Sequence, residues 1–98
     1  FKEYHVTNRN VLDAIRYHTT GRENMTLLEK IVYVADIIEP SRNFDGVDRI
    51  RQLTYEDLDR GLLYALERTI IFVVQRGHLV HLDTIRARNQ LIILKGLE

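Results

Sequence analysis

The chain has 98 residues, no cysteine, and 14 basic residues balanced by 14 acidic ones, so its formal net charge is zero. The lack of cysteine excludes disulfides and thiolate-bound metals. The balanced charge argues against a nucleic-acid-binding surface, which usually carries a basic excess. No apolar run approaches the roughly 18 residues of a membrane span, and the start does not resemble a signal peptide. We therefore expect a soluble cytoplasmic protein with neither a nucleic acid nor a membrane as partner.

About five helices are predicted, because apolar residues recur at helical spacing and proline occurs only once. The first is expected at about residues 8–18 and the second at about 26–39. Thr26 and Glu29 form a capping box at the start of the second helix. Pro40 ends it, since the residue before proline avoids the helical region. The wide apolar surface of this second helix predicts that it is largely buried.

The long fourth helix is expected to follow a short third helix at about residues 47–53. Thr54 is the predicted N-cap of the long helix, which then runs to about Arg76. A cation followed by Gly77 is typical of a helix C-terminus, because glycine adopts the left-handed cap without strain.

A last helix is predicted to begin at Asp83 or Thr84 and to end at Lys95 and Gly96. His81 is expected in the loop before it, with Asp83 as the cap. No strand pattern, repeat or linker competes with this interpretation. The sequence therefore predicts an all-α fold, with residues 1–98 in a single domain.

Two polar residues interrupt the apolar helix faces. His18 lies one turn after Ile15 on the first helix, and Asp36 continues the apolar line of Leu28 and Val32 on the second. An ionised carboxylate on a buried face is costly unless it is paired or binds a metal. Nitrogen and oxygen ligands in this order suit a transition metal. The alternatives are that His18 is a hydrogen-bonded core histidine and that Asp36 pairs with an arginine or caps a neighbouring helix.

A candidate phosphate-binding region lies between and after these two residues. Hydroxyls, a glycine, a helix N-terminus and a lysine together suit a phosphate. The residues are Thr19, Thr20, Gly21 and Lys30. The alternative is a polar turn with a solvated lysine. Arg42 could clamp a phosphate with two hydrogen bonds, or it could form an ordinary ion pair with Glu39.

Two stretches of sequence resemble the signature of the YqeK-type HD-domain family, the bacterial symmetric bis(5'-nucleosyl)-tetraphosphatases. They are AIRYHTTG at residues 14–21 and MTLLEKIVYVADIIEPSR at residues 25–42. The resemblance continues more weakly through the long helix and residues 84–91, so it covers essentially the whole chain. It implies an HD-domain-like helical bundle of which this chain is the C-terminal portion.

The resemblance also implies an activity and a set of site residues. Such proteins are metal-dependent phosphohydrolases that cleave diadenosine tetraphosphate into two ADP. They use a divalent transition metal, expected as binuclear iron, with manganese or zinc as other candidates. His18 matches a late histidine of the second metal, and Asp36 matches the final aspartate of the ligand series. The phosphate side of the family matches Thr19, Thr20, Gly21, Lys30 and Arg42.

The chain departs from the family pattern because it contains no adjacent His-Asp pair. It begins at Phe1, so we expect the helices that supply the first histidine and the dyad to precede this residue. The isolated chain is then expected to have little or no hydrolase activity. The alternatives are a non-catalytic helical module for nucleotide binding or dimerisation, and a plain helical interaction domain. A homodimer is compatible with each, because an incomplete domain exposes apolar faces.

Overall fold

The computed structural model describes residues 8–96, which form five α-helices and contain no strand. None of these helices combines the length and the apolar character needed to cross a membrane. The all-α prediction is thus confirmed for the described part of the chain. The helices are α1 Asn8–Arg16, α2 Leu27–Ile38, α3 Val47–Glu56, α4 Leu58–Gln75 and α5 Leu82–Lys95.

Helix α4 is the centre of the bundle, since it packs against α2, α3 and α5, while α1 packs on α2. Leu62, Ala65 and Leu66 share one face of α4 at helical spacing, and each is at most 1% exposed. Side chains from the three neighbouring helices close over this face. The core consists of Tyr33, Val34, Ile50, Leu62, Leu63, Ala65, Leu66, Ala87 and Leu91.

The ends of α2 lie close to the predicted positions. The Thr26 hydroxyl accepts a hydrogen bond from the Glu29 amide at 3.2 Å, as the capping box predicted. The Glu29 carboxylate, however, accepts from the Thr26 hydroxyl at 3.1 Å and also from Arg22. At the other end, Glu39 is extended (φ −55°, ψ 150°), as expected of a residue that precedes Pro40.

The predicted cap of the long helix was wrong. Thr54 lies inside α3, and its hydroxyl donates to the carbonyl oxygen of Ile50 at 2.7 Å. A threonine can bond in this way to the carbonyl four residues back, so it does not have to interrupt a helix. Asp57 is the residue that ends α3 and caps α4, with its carboxylate accepting from the Asp59 amide at 2.9 Å.

The start of α5 also differs from the prediction. His81 is the N-cap, and its Nδ1 accepts a hydrogen bond from the Asp83 amide at 3.1 Å. Asp83 therefore lies in the first turn, where its charge favours the helix dipole. The helix ends at Gly96, which has the left-handed conformation expected there.

The expectation that α2 is largely buried is wrong for one side of the helix. Leu27 and Ile31 are 67% and 47% exposed, and on α1 Leu12 and Ile15 are 63% and 59% exposed. These four residues form what we call the α1–α2 face. Apolar spacing identifies the residues that can be buried, but it does not show which of them meet a neighbour among the described residues.

A buried ion pair holds the segment between α1 and α2. Glu29 is 1% exposed, and Arg22 donates to it through Nε at 2.7 Å and through Nη2 at 2.6 Å. The hydrogen bond with Glu29 raises the pKa of Arg22. The guanidinium carbon also lies 4.4 Å from the centre of the Tyr17 ring, which is within cation–π range. The connecting segment is thereby fastened to the first turn of α2.

Gly21 brings the same segment into close contact with the core. Its φ of +71° is a left-handed conformation that other residues rarely adopt. A Cβ at this position would lie 3.2 Å from Leu66 Cδ2 and 3.6 Å from Ala87 Cβ. The sequence predicted Gly21 as part of a phosphate-binding region, and the structure shows that it also packs against α4 and α5.

Replacing Arg22 with Met should lower the free energy of unfolding by about 3 kcal/mol, because the buried carboxylate of Glu29 loses its ion-pair partner. Urea denaturation of Arg22→Met, Glu29→Gln and the double variant measures the effect. The double variant should be more stable than the sum of the single effects implies. Strict additivity would show that the pair contributes no coupling energy.

Replacing Gly61 with Ala should lower the free energy of unfolding by about 2 kcal/mol. A Cβ there would lie 2.8 Å from Thr54 Cα, a backbone atom of α3 that cannot yield without moving the helix. This cost exceeds the gain of about 1 kcal/mol in helix propensity. Arg60→Ala, on the exposed side of the same helix, is the control for thermal unfolding. Equal stability of the two variants would contradict the close helix contact.

Burial raises the pKa of Tyr33 to about 12, against a smaller opposing effect of its hydrogen bond with Thr69. The protonated side chain therefore stabilises the fold fully below pH 10, and this contribution is lost as the pH rises toward 12. We expect a loss of about 2 kcal/mol at pH 11.5 relative to pH 9 from this residue alone. Urea unfolding of the wild type and of Tyr33→Phe at both pH values measures the effect. Between pH 9 and pH 11.5, the free energy of unfolding should fall by about 2 kcal/mol less in the variant than in the wild type. Equal decreases in the two proteins would contradict this prediction.

Candidate functional site

His18 lies just beyond the C-terminal end of α1, in a half-buried position. Its Nδ1 is 2.5 Å from the carbonyl oxygen of Ile15. Because a carbonyl oxygen can only accept, the proton of a neutral ring must be on Nδ1. Nε2 then carries the lone pair, and it makes no hydrogen bond to any residue of the described chain. A backbone carbonyl that fixes one ring nitrogen and leaves the other available is typical of metal-binding histidines.

Asp36 lies in the last turn of α2, and its side chain is 43% exposed. This corrects the expectation that it is on a buried helix face. Its Oδ2 is 3.4 Å from Nη2 of Arg42, a long ion pair between side chains that are both partly exposed. Its Oδ1 accepts no hydrogen bond from residues 8–96. The arginine pairing that the sequence left open is therefore present, but it is weak and leaves one oxygen available.

The donor set of these two residues fits a transition metal. One imidazole nitrogen and one carboxylate oxygen are the ligand types that iron, manganese and zinc accept. Two side chains are too few for a tight hydrolytic site on their own. Among residues 8–96, no group of three or more His, Asp or Glu side chains is arranged to hold a metal ion.

Arg51 on α3 fixes the segment that follows α2 and carries Arg42. It donates to the carbonyl oxygens of Ile38 at 3.1 Å, Glu39 at 3.1 Å and Arg42 at 3.0 Å. These groups are at the C-terminus of α2, where carbonyls lack partners within the helix. The sequence interpretation did not identify Arg51. Nothing in its local sequence distinguishes it from the other arginines of a polar helix face.

Glu39 helps to orient the same segment. The Ser41 hydroxyl and the Ser41 amide both donate to its carboxylate, which lowers the pKa of Glu39. Arg42 Nε lies 3.8 Å from Glu39 Oε1. The ordinary ion pair predicted as the alternative for Arg42 is therefore present, next to the contact with Asp36. Arg42 is still half exposed, so its guanidinium remains accessible to a ligand.

The other four phosphate candidates occupy different surroundings. Lys30 is not a solvated lysine, because its Nζ binds Asp59 Oδ1 at 2.7 Å and the side chain is 21% exposed. Thr20 donates to the Gly21 carbonyl at 3.0 Å, whereas Thr19 is exposed. Gly21 itself is buried. Their role in phosphate binding stays a prediction, and for Lys30 it would require the lysine to leave or share Asp59.

Lys30 and Arg42 line different cavities. Lys30 and Arg22 lie at a small cavity of about 200 Å³ between α2, α4 and α5. Arg42 lies at a cavity of about 540 Å³ between the end of α2, the segment 41–45 and α4, which we call the α2–α4 cavity. Arg68 lines it from α4, a residue that the sequence interpretation did not single out. The candidate residues therefore do not form one phosphate site within the described chain.

Comparison with known proteins identifies clear relatives, although no protein-family model matches the chain. The symmetrical bis(5'-nucleosyl)-tetraphosphatase of Bacillus subtilis is 46% identical over 91 residues, 93% of this chain and 49% of the relative. The proteins of the same name from Halalkalibacterium halodurans and Staphylococcus aureus are 42% and 43% identical. These alignments cover 94% and 89% of this chain, and 49% and 46% of the relatives. The chain thus spans about half the length of the curated relatives it matches.

A solved structure has the same fold. It is the crystal structure of an HD superfamily hydrolase from Clostridium acetobutylicum, described as involved in NAD metabolism. It matches with a TM-score of 0.83 and 52% identity over 90% of this chain and 47% of that one. The five helices of the chain are therefore part of an HD superfamily fold. By sequence, this chain is similar to the proteins named symmetrical bis(5'-nucleosyl)-tetraphosphatase, and its described helices have the fold of part of an HD superfamily hydrolase.

Proposed function

We propose that the complete protein is a metal-dependent phosphohydrolase that cleaves diadenosine tetraphosphate symmetrically to two ADP. In this proposal the chain is the C-terminal portion of the HD-type domain, and the metal centre is binuclear iron, with manganese or zinc as the other candidates. The observation that carries the proposal is the 42–46% identity to proteins named for this reaction, over at least 89% of the chain.

His18 and Asp36 are the proposed metal ligands. The tautomer of His18 supports this role, because Nε2 is the nitrogen that carries the lone pair when Nδ1 donates to Ile15. On α2, Oδ1 of Asp36 accepts no hydrogen bond from residues 8–96, which supports its role as a ligand. When bound, the metal would supply Lewis acidity and an activated water for attack on phosphorus.

The remaining ligands, including the His-Asp dyad, are proposed to lie in the other half of the complete domain. The α1–α2 face supports this arrangement, because its apolar side chains are exposed in the described part of the chain. An exposed apolar surface is suited to packing against further helices. The isolated chain is accordingly proposed to be inactive.

The residues of the chain have distinct tasks in the reaction. The water oxygen forms a bond to a phosphorus at the centre of the polyphosphate, and the bond from that phosphorus to the central bridging oxygen breaks. The products are two ADP, and negative charge develops on the phosphoryl oxygens and the leaving oxygen. Arg42 is the proposed cation for this charge, because it is half exposed and next to Asp36. Arg51 keeps it in place by holding the segment that carries it.

The test is metal analysis and product analysis of the complete protein. His18→Ala and Asp36→Ala should each lower the bound metal and abolish the conversion of diadenosine tetraphosphate to ADP. The matched controls are His78→Ala and Glu56→Ala, since both residues are exposed and neither belongs to the proposed site. Both controls should keep the metal and the activity of the wild type.

Two results would reject parts of the proposal. Unchanged metal content and normal turnover in Asp36→Ala would exclude its role as a ligand. A wild-type protein that binds the dinucleotide without cleaving it would favour the non-catalytic nucleotide-binding module. Dimer formation and the absence of nucleic-acid binding stay predictions, to be measured by light scattering and by titration with DNA or RNA.

A further inference from the structure

The α2–α4 cavity has the size and the lining of a small-molecule site. Its volume of about 540 Å³ falls within the roughly 300–1,000 Å³ of ligand pockets. Two arginines, one aspartate (Asp45), two phenylalanines and uncharged polar side chains share its walls with a few aliphatic residues. The residues that bear on the argument are Arg42, Asn43, Phe44, Arg68, Thr69 and Phe72.

Arg68 has a hydrogen-bond donor that the described chain does not satisfy. Its Nε is buried and has no partner among residues 8–96. Its Nη2 lies 3.3 Å from Asp45 Oδ2, but the Asp45 side chain is 95% exposed, so this ion pair is weak. A buried N–H without an acceptor is unfavourable. A small turn of the guanidinium into the cavity would let it donate to an anion through two of its nitrogens.

Arg42 connects the cavity to the candidate metal ligand. Its guanidinium lines the cavity and also contacts Asp36 at 3.4 Å. A phosphate chain held near Asp36 would therefore meet Arg42 first and could continue toward Arg68. The two cations are supplied by different elements, the segment after α2 and helix α4.

Two aromatic rings provide the apolar part of the site. Phe44 and Phe72 are 39% and 55% exposed, although both line the cavity. Exposed rings on the wall of a cationic cavity are suited to stacking against a nucleobase. The guanidinium carbon of Arg76 already lies 4.7 Å from the centre of the Phe72 ring, so this ring accepts a flat cationic group.

We propose that the α2–α4 cavity binds one nucleoside 5'-diphosphate half of the substrate. The phosphates lie at Arg42 and Arg68, and the base stacks on Phe72 and Phe44. This inference rests on the proposed function, because symmetric cleavage leaves a nucleoside diphosphate on each side of the broken bond. It assigns binding to Arg68, which lies on α4 and outside the sequence stretches that carry the family signature.

Binding of ADP and of inorganic pyrophosphate to the complete, metal-loaded protein tests this assignment. Both probes are measured by isothermal titration calorimetry, and neither requires turnover of the dinucleotide. Arg68→Gln should weaken both probes by about tenfold, because both lose a charge-assisted hydrogen bond. Phe72→Leu should weaken ADP by about tenfold and leave pyrophosphate unchanged, because pyrophosphate has no base to stack. Phe72→Tyr should retain the binding of ADP.

The control variant is Arg60→Gln, which removes the same charge from an exposed position on the same helix. It should bind both probes as the wild type does. Phe72 is more than half exposed, so its variants test the site even if Arg68→Gln does not fold. ADP binding unchanged in Phe72→Leu, or in a folded Arg68→Gln, would overturn the inference while leaving hydrolysis by the wild type intact. Loss of ADP binding in these variants of a protein without hydrolase activity would support the cavity and reject the proposed reaction.

Discussion

The ion pair of Arg22 and Glu29 is the interaction on which the arrangement around the candidate site depends. Glu29 is in the first turn of α2, and Arg22 is in the segment that follows His18, so the pair joins the two parts of the chain that carry the candidate ligands. A carboxylate that is 1% exposed needs its cation, because an uncompensated buried charge is far costlier than an exposed one. Gly21, which no larger residue could replace without strain, lets the segment come close enough for the pair to form.

The sequence predicted the number, order and approximate bounds of the helices, because apolar spacing and a few end signals specify them. The end at Pro40 and the ends near Gly77 and Gly96 follow from backbone restrictions of single residues. The caps of α4 and α5 were not predicted correctly. Several polar residues near each start can act as a cap, and the choice depends on the angle at which consecutive helices meet.

The candidate site was predictable only as far as its residue types. The sequence predicts His18, Asp36 and Arg42 as site residues, and this assignment stays a prediction. The structure shows the pairing of Asp36 with an arginine, Arg42, which was the alternative for Asp36. The exposure of Asp36 was not predictable, because it depends on which helices cover α2. The pairing of Lys30 with Asp59 joins residues 29 positions apart. The α2–α4 cavity likewise arises where separate elements meet, so Arg68 carries no local signal.

The close approach of α3 and α4 at Gly61 has a consequence for ligand entry. With the backbone of Thr54 almost against that glycine, α3 and α4 are held in close contact. Arg51 on α3 also binds the end of α2 and the segment after it through three carbonyls. The elements that form the walls of the α2–α4 cavity are therefore connected by direct contacts. We expect a ligand that enters the cavity to require little ordering of the backbone, which lowers the entropic cost of binding.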